Sequence, residues 1–205
     1  MRVAVFAKAP RPGAVKTRLA GFLGEEGAAR LHARLVEHAL AMALDAAVGP
    51  VELWAAPSLD DPFFAECARR HGVSLRDQGD GDLGARMARA VAASISAGDA
   101  VLVIGSDCPA LRAGDLHEAA AELAGHDVVL GPAEDGGYVL LGAARTVPPI
   151  FERVDWGSGT VLARTRHKLA AAGIEWHELR TLWDVDRPED YVRLQQEGLL
   201  EVAGA

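Results

Sequence analysis

The sequence predicts a three-layer α/β/α protein built on a mainly parallel sheet. Short apolar runs and longer helical patterns alternate through the first 130 residues. That alternation requires right-handed crossovers and hence parallel strands. The run at 100–104, AVLVI, is apolar on both faces, as a strand at the centre of a parallel sheet must be. Half of the 205 residues are apolar and only 5% are aromatic, so Ala-rich, closely packed helices can cover the sheet. The length suits one domain spanning 1–205.

The elements follow in order. Residues 3–7 are an apolar run that ends in Pro and Gly, which marks a buried strand. A loop at 8–18 follows. Residues 26–47 are helical, because Leu31, Leu35, Ala39 and Met42 recur three or four apart. Gly49 and Pro50 stop that helix, and 51–56 is the second strand. A helix is expected at 60–71, with Asp60 or Asp61 as its cap and Gly72 as its stop. Residues 73–75 are a third strand. A polar, glycine-rich loop at 77–84 leads to a helix at 86–96. Beyond the central strand come a helix at 115–123, strands at 128–130 and 138–141, and a helix at 160–172 ended by Gly173. A strand at 176–179 precedes a last helix at 188–197, which has Pro188 at its first position and Asp186 or Arg187 near the cap.

The bulk numbers exclude several classes. A formal charge of −8 with no basic run disfavours nucleic acid as a partner. The two cysteines, Cys67 and Cys108, are too few for a disulfide framework. The N-terminal apolar run is one strand long and is interrupted by Lys8, too short for a signal peptide. No stretch approaches a membrane span, so a cytoplasmic protein is expected.

Ligands of α/β sheets bind beyond the carboxyl ends of the strands, so the loops there hold the chemistry. After the first strand come Lys8, Arg11, Gly13, Lys16 and Arg18, a positive cluster in an acidic chain that suits a phosphate. The glycine spacing is not that of a P-loop. Residues 79–84 match G-x-G-x-x-G, but Asp80 and Asp82 inside the motif would repel a pyrophosphate. The loop reads instead as a nucleotide or substrate loop, with Gln78 able to meet a base edge and Gly84 at the helix start, or as a plain helix opening. Asp107 ends the central strand just before Cys108 and Pro109. It is either a metal ligand facing the crevice or a cap for the next helix. Cys108 reads as a packed residue rather than a nucleophile.

Later loops are open to two readings each. Glu134 and Asp135 precede Gly136 and Gly137, whose small size would let backbone approach a ligand. Asp184 and Asp186 stand before the last helix, as caps or as a second metal ligand. Residues 157–160, with Gly159 and Thr160, open a helix whose N–H groups could hold an anion, or Ser158 or Thr160 simply caps it. The seven histidines are scattered and predict no zinc site.

These loops resemble a known family. FAKAPRPGAVKTRLA, QGDGDLGARM, GSDCPAL, GPAEDGGYVLLG and DVDRPEDY together resemble bacterial glycosyltransferase-like proteins of the GT-A, or nucleotide-diphospho-sugar transferase, superfamily. KTRL and the GSGT helix opening are similar to 2-phospholactate guanylyltransferase. The acid followed by Pro, and the late DVDRPED, are similar to molybdenum-cofactor guanylyltransferases. The resemblance implies a GT-A-type fold and a nucleotide or nucleotide-sugar donor whose phosphates meet Lys8, Lys16 and Arg18. It implies Mg²⁺ or Mn²⁺ at Asp107, with Asp186 or Asp184 sharing it. The acceptor would be a small molecule near Glu134, Asp135, Gly136, Gly137, Gly159 and Thr160. Catalysis would fall to Asp107, Lys16, Arg18 and Asp135. Ser106-Asp107-Cys108 holds one acid where glycosyltransferases have D-x-D, which keeps nucleotidyl transfer to a phosphorylated or carboxylated acceptor beside glycosyl transfer.

Overall fold

The computed structural model describes residues 1–200. Its strands are Arg2–Lys8 (β1), Val51–Ala56 (β2), Ser74–Asp77 (β3), Val101–Gly105 (β4), Val128–Pro132 (β5), Tyr138–Ala143 (β6) and Trp176–Glu178 (β7). They form one sheet in the order β3-β2-β1-β4-β6-β5-β7. Every pairing is parallel except those of β6, which is antiparallel to both β4 and β5. The helices are Ala20–Ala46 (α1), Pro62–His71 (α2), Leu83–Ser96 (α3), Ala113–Glu122 (α4), Val161–Ala171 (α5) and Pro188–Glu197 (α6).

Strand side chains alternate between two faces, and both faces are covered. Val3, Val5 and Ala7 of β1 join Leu35, Val36, Leu40, Phe64 and Leu116 from α1, α2 and α4 in one core. Ala4 and Phe6 join Met87, Ala90, Val91, Leu162 and Leu169 from α3 and α5 in the other. The result is the expected three-layer α/β/α arrangement with a mainly parallel sheet.

Boundaries moved where glycine or a cap decides them. The first helix starts at Ala20, six residues before the apolar periodicity begins, and bends at Gly24, whose φ of 71° and ψ of 162° are not helical. Asp61, not Asp60, caps α2 by accepting from the Phe63 N–H at 3.2 Å. Asp82 caps α3 by accepting from Ala85 N–H at 2.8 Å, which starts that helix at Leu83 rather than Arg86.

The chain after β7 folds back along the sheet. Leu179 N–H donates to Leu130 C=O, Leu182 N–H to Pro132 C=O, and Val185 N–H to Asp107 C=O. Within this extended stretch Trp183 and Val185 are buried, while Asp184 and Asp186 face the other way and are half-buried. That period of two turns both acids toward the carboxyl end of β4, where Asp186 lines one crevice and Asp184 the cavity beside it. Arg180 fastens the arrangement: its Nε and Nη2 donate to the buried Asp115 carboxylate at 2.7 and 2.8 Å, and Nη2 also donates to Ala110 C=O at 2.9 Å. Asp115 also accepts from the Arg112 N–H at 2.8 Å, where α4 begins.

Asp115→Ala should therefore lower unfolding free energy by about 2 kcal/mol, the cost of leaving hydrogen-bonded partners of a buried carboxylate unsatisfied, discounted because Arg180 is half exposed. Urea denaturation followed by circular dichroism checks it. A loss below a few tenths would show that Arg180 does not fasten the C-terminal segment.

Candidate functional site

Three chain segments converge at the carboxyl end of β1 and β4. The loop after β1 holds Lys16 with φ 48° and ψ 39°, a left-handed conformation that costs a non-glycine residue roughly 1–2 kcal/mol. It turns the ammonium inward, where only 3% of the side chain is exposed, onto Asp107 Oδ1 at 3.0 Å and towards Asp186 Oδ1 at 4.0 Å. His32, buried on α1, places Nδ1 3.4 Å from the same Asp107 oxygen and Nε2 3.0 Å from Lys8 C=O. Arg18 is 59% exposed and pairs with the other oxygen of Asp186.

Burial by itself would raise the Asp107 carboxyl, but the Lys16 ammonium and His32 beside it outweigh that and hold it well below the usual carboxylate range. Asp184 behaves oppositely. Burial, and then the nearby negative charges of Asp135, Asp107 and Asp186, push its carboxyl up to about 6 despite the opposing pull of Lys16. Acids thus crowd one spot beside a single buried cation.

The crevice over these groups has a volume of ≈500 Å³ and is lined by Lys8, Lys16, Arg18, His32, Asp107 and Asp186 among others. Lys8, Lys16, Arg18, Asp107, Asp135 and Asp186 are brought together as the sequence predicts. Asp107 is no helix cap: α4 starts at Ala113, with Arg112 at the N-cap position. Neither Asp184 nor Asp186 caps α6, because Asp190 accepts from the Asp186 and Arg187 N–H groups instead. Thr160 and Ser158 do not cap α5 either; the Ser158 hydroxyl donates to Asp155 C=O at 2.8 Å.

Other predicted residues are committed elsewhere. The Gln78 amide nitrogen donates to Ala7 C=O at 3.1 Å and Trp54 C=O at 2.8 Å, so its donors tie β1 to β2 and do not read a base. Gly84 is buried, and a Cβ there would lie 2.6 Å from Phe151 C=O and 2.7 Å from the Trp156 ring. Its small size serves the packing of α3, not a nucleotide. Gly13, with φ 73°, makes the turn of the first loop against Glu25. Glu134 points away to Arg193, at 3.0 and 3.2 Å, and does not line the crevice; Arg193 also lies 4.4 Å over the Trp183 ring. The Cys108 thiol is buried, which pushes its pKa up to about 12, as fits a packed residue.

Asp135 remains at the rim, accepting from Gly137 N–H at 2.8 Å. Gly136 has φ 87°, and a Cβ on it would sit 2.2 Å from Gly159 C=O. The two predicted acceptor loops therefore touch backbone to backbone. Leu162 N–H donates to Gly136 C=O at 2.9 Å and secures the contact.

His32 and Trp156 escaped the sequence reading. His32 shares a helical face with Ala28, Leu35, Val36 and Ala39, and a lone polar residue on that apolar face was the available signal. Nothing in the local pattern around Trp156 marks it. Among the described residues, Glu122, His126 and His177 bring three ligand atoms close enough to hold a metal. The group lies where β5 begins, at the opposite end of the strand from Asp135.

A family model described as "Uncharacterized protein conserved in bacteria (DUF2064)" matches residues 39–158. The chain belongs to this family. It is also 30% identical, with a TM-score of 0.82, to a protein of Desulfovibrio desulfuricans G20 provisionally named a nucleotide-diphospho-sugar transferase, over 91% of this chain and 82% of that one. A nucleotidyl transferase from Methanothermobacter thermautotroptrophicus shares the fold at 21% identity and TM-score 0.66, covering 97% and 98% of the two chains. A Mycobacterium tuberculosis H37Rv protein in complex with manganese shares it at 18% identity and TM-score 0.54, covering 95% and 98%. No curated protein matches the sequence. The chain is a transferase of the nucleotide-diphospho-sugar transferase type, a fold that the nucleotidyl transferase shares.

Gly136→Ala should destabilise the fold by roughly 1–3 kcal/mol, because it forces a Cβ into both a positive φ and the Gly159 carbonyl. Gly137→Ala should cost less, since the added carbon meets only the Asp135 carboxylate, at 3.1 Å. Thermal unfolding of both variants checks the order. Equal melting temperatures would mean that the two loops do not depend on their contact.

Proposed function

We propose that the protein transfers a glycosyl group from a nucleotide-activated sugar to a small acceptor, with Mg²⁺ or Mn²⁺ at Asp107 and Asp186. One observation carries this reading: the cations of the crevice, Lys8, Lys16 and Arg18, all stand on the side of Asp107 and Asp186. A nucleoside diphosphate placed there meets positive charge, and the side of Asp135 and Asp184 is left to the acceptor.

The residues fit a divalent cation. Asp107 has one oxygen buried against Lys16 and His32, yet 42% of its side chain is exposed, so its other oxygen is open to the crevice. Crowding that raises the Asp184 carboxyl is relieved by added positive charge. Asp107 and Asp186 supply only two carboxylates where a hard cation takes about six oxygens, so donor phosphates and water would complete the set. The manganese in the structurally similar mycobacterial protein agrees with this choice of metal. Such an ion would neutralise charge on the departing diphosphate.

In the transfer, the acceptor hydroxyl oxygen forms a bond to the anomeric carbon of the donor. The bond from that carbon to the diphosphate oxygen breaks, and the nucleoside diphosphate leaves with the electron pair. Asp135, at the rim between the two sides, takes the hydroxyl proton. Lys16 and Arg18 stabilise the negative charge that grows on the leaving group.

Lys16→Ala and Arg18→Ala should each weaken binding of nucleoside diphosphates by about 1.5–3 kcal/mol, the value of a charge-assisted phosphate contact. Lys16→Ala should give the larger loss, because its ammonium is buried and pre-placed. Calorimetric titration with ADP, CDP, GDP and UDP in the presence of Mn²⁺ measures it. Unchanged affinity in both variants would remove the donor phosphates from this loop. Release of pyrophosphate from a nucleoside triphosphate, with no cleavage of nucleotide sugars, would replace glycosyl by nucleotidyl transfer.

A further inference from the structure

The donor reading leaves the acceptor undefined, and a second cavity bears on it. This cavity has a volume of ≈210 Å³ and adjoins the crevice, sharing Phe6, Leu83, Gly105, Asp135 and Gly157 with it. Its walls are Phe6 of β1, Tyr138 of β6, Leu83 and Met87 of α3, Val161 of α5 and Trp156 of the loop before α5. Phe6, Met87 and Val161 are buried, and Leu83 is exposed at the rim. Tyr138 meets Trp156 edge-on, with ring centroids 6.3 Å apart and an interplanar angle of 89°. The Trp156 ring in turn lies so close to the first turn of α3 that only glycine fits at position 84.

No Lys, Arg or His lines the cavity, and its charged residues are Asp135 and Asp184. A phosphate or carboxylate brought here would add a further negative charge in an apolar enclosure. Without a cation to pair with, that desolvation is not repaid. An uncharged apolar group enters at no such cost and removes the aromatic walls from water. The volume is below the roughly 300–1,000 Å³ of sites for drug-sized ligands, so the group is a small ring or a short chain.

We infer that the acceptor is a hydroxyl compound with an uncharged, apolar body, seated in this cavity with its hydroxyl at Asp135. The inference rests on the donor reading for its place in the reaction, and on the cavity alone for its chemistry. Phosphorylated and carboxylated acceptors, natural to a nucleotidyl transferase, are excluded by it.

Three matched probes test it: 2-phenylethanol, 2-phenylethyl phosphate and phenylacetate, titrated calorimetrically into the full chain with Mn²⁺. The alcohol should bind at least about tenfold more tightly than either anion, the discrimination expected when an unpaired charge must enter a low-dielectric site. Ser158→Trp, at the half-exposed mouth of the cavity, should abolish alcohol binding. Met87→Trp, which fills the interior, should do the same, and circular dichroism shows whether each variant folds. Anions that bind as tightly as the alcohol overturn the proposal. So does failure of all three to bind, or alcohol binding that survives in a folded Ser158→Trp protein. Nucleoside diphosphate affinity measured on the same samples separates the two readings. Its absence with alcohol binding intact sinks the donor site alone, and its presence with no alcohol binding sinks the acceptor class alone.

Discussion

The site hangs on one contact, the buried Lys16 ammonium 3.0 Å from the Asp107 carboxylate. An ammonium taken out of water without a partner is expensive, and removing one member of a buried pair is worse than never having built it. The loop after β1 accepts left-handed backbone at Lys16 to make the contact. Asp107 in turn anchors the C-terminal segment through its own C=O, which accepts from Val185 N–H at 2.9 Å. Thus one pair positions the first loop, the end of β4 and the two late acids together. His32 adds a third party from α1, bridging Asp107 and Lys8 C=O.

That arrangement sorts charge across a few ångströms. On one side Lys8, Lys16 and Arg18 stand with Asp107 and Asp186. On the other side stand Asp135, Asp184 and apolar walls. Asp135 and Gly157 line both. Beside them the loops of Gly136 and Gly159 meet backbone to backbone, with no room for a side chain at Gly136.

The fold was largely legible because its signals are local. Buried parallel strands such as 100–104 announce themselves as unbroken apolar runs, and Gly72 and Gly173 mark helix ends. The start of α1 at Ala20 was missed because GFLGEEG holds three glycines and no apolar spacing, and tertiary packing of Leu19 and Leu23 carries the helix across the bend. Within the site, the charged residues that the fold gathers around the crevice were legible: Lys16, Arg18, Asp107, Asp135 and Asp186. Those misjudged were residues whose partner comes from distant sequence. Gln78 donates 71 positions back to Ala7, Glu134 pairs 59 positions on with Arg193, and Gly84 answers to Trp156. Spacing along the chain cannot show such partners. Membrane crossing by a helix, also excluded from the sequence, finds no candidate among the described helices.

The central claim is that Asp107 holds a divalent cation jointly with the donor phosphates. Titration of Mn²⁺ by paramagnetic resonance, with and without a nucleoside diphosphate, tests it most directly. Two carboxylates where a hard cation takes about six oxygens predict weak binding of Mn²⁺ alone and much tighter binding with the nucleotide. In Asp107→Asn, which keeps the shape and removes the charge, that enhancement should vanish while the fold persists. Equal nucleotide-dependent enhancement in the wild type and in Asp107→Asn would contradict the account and leave Asp107 as no more than the counter-charge of Lys16.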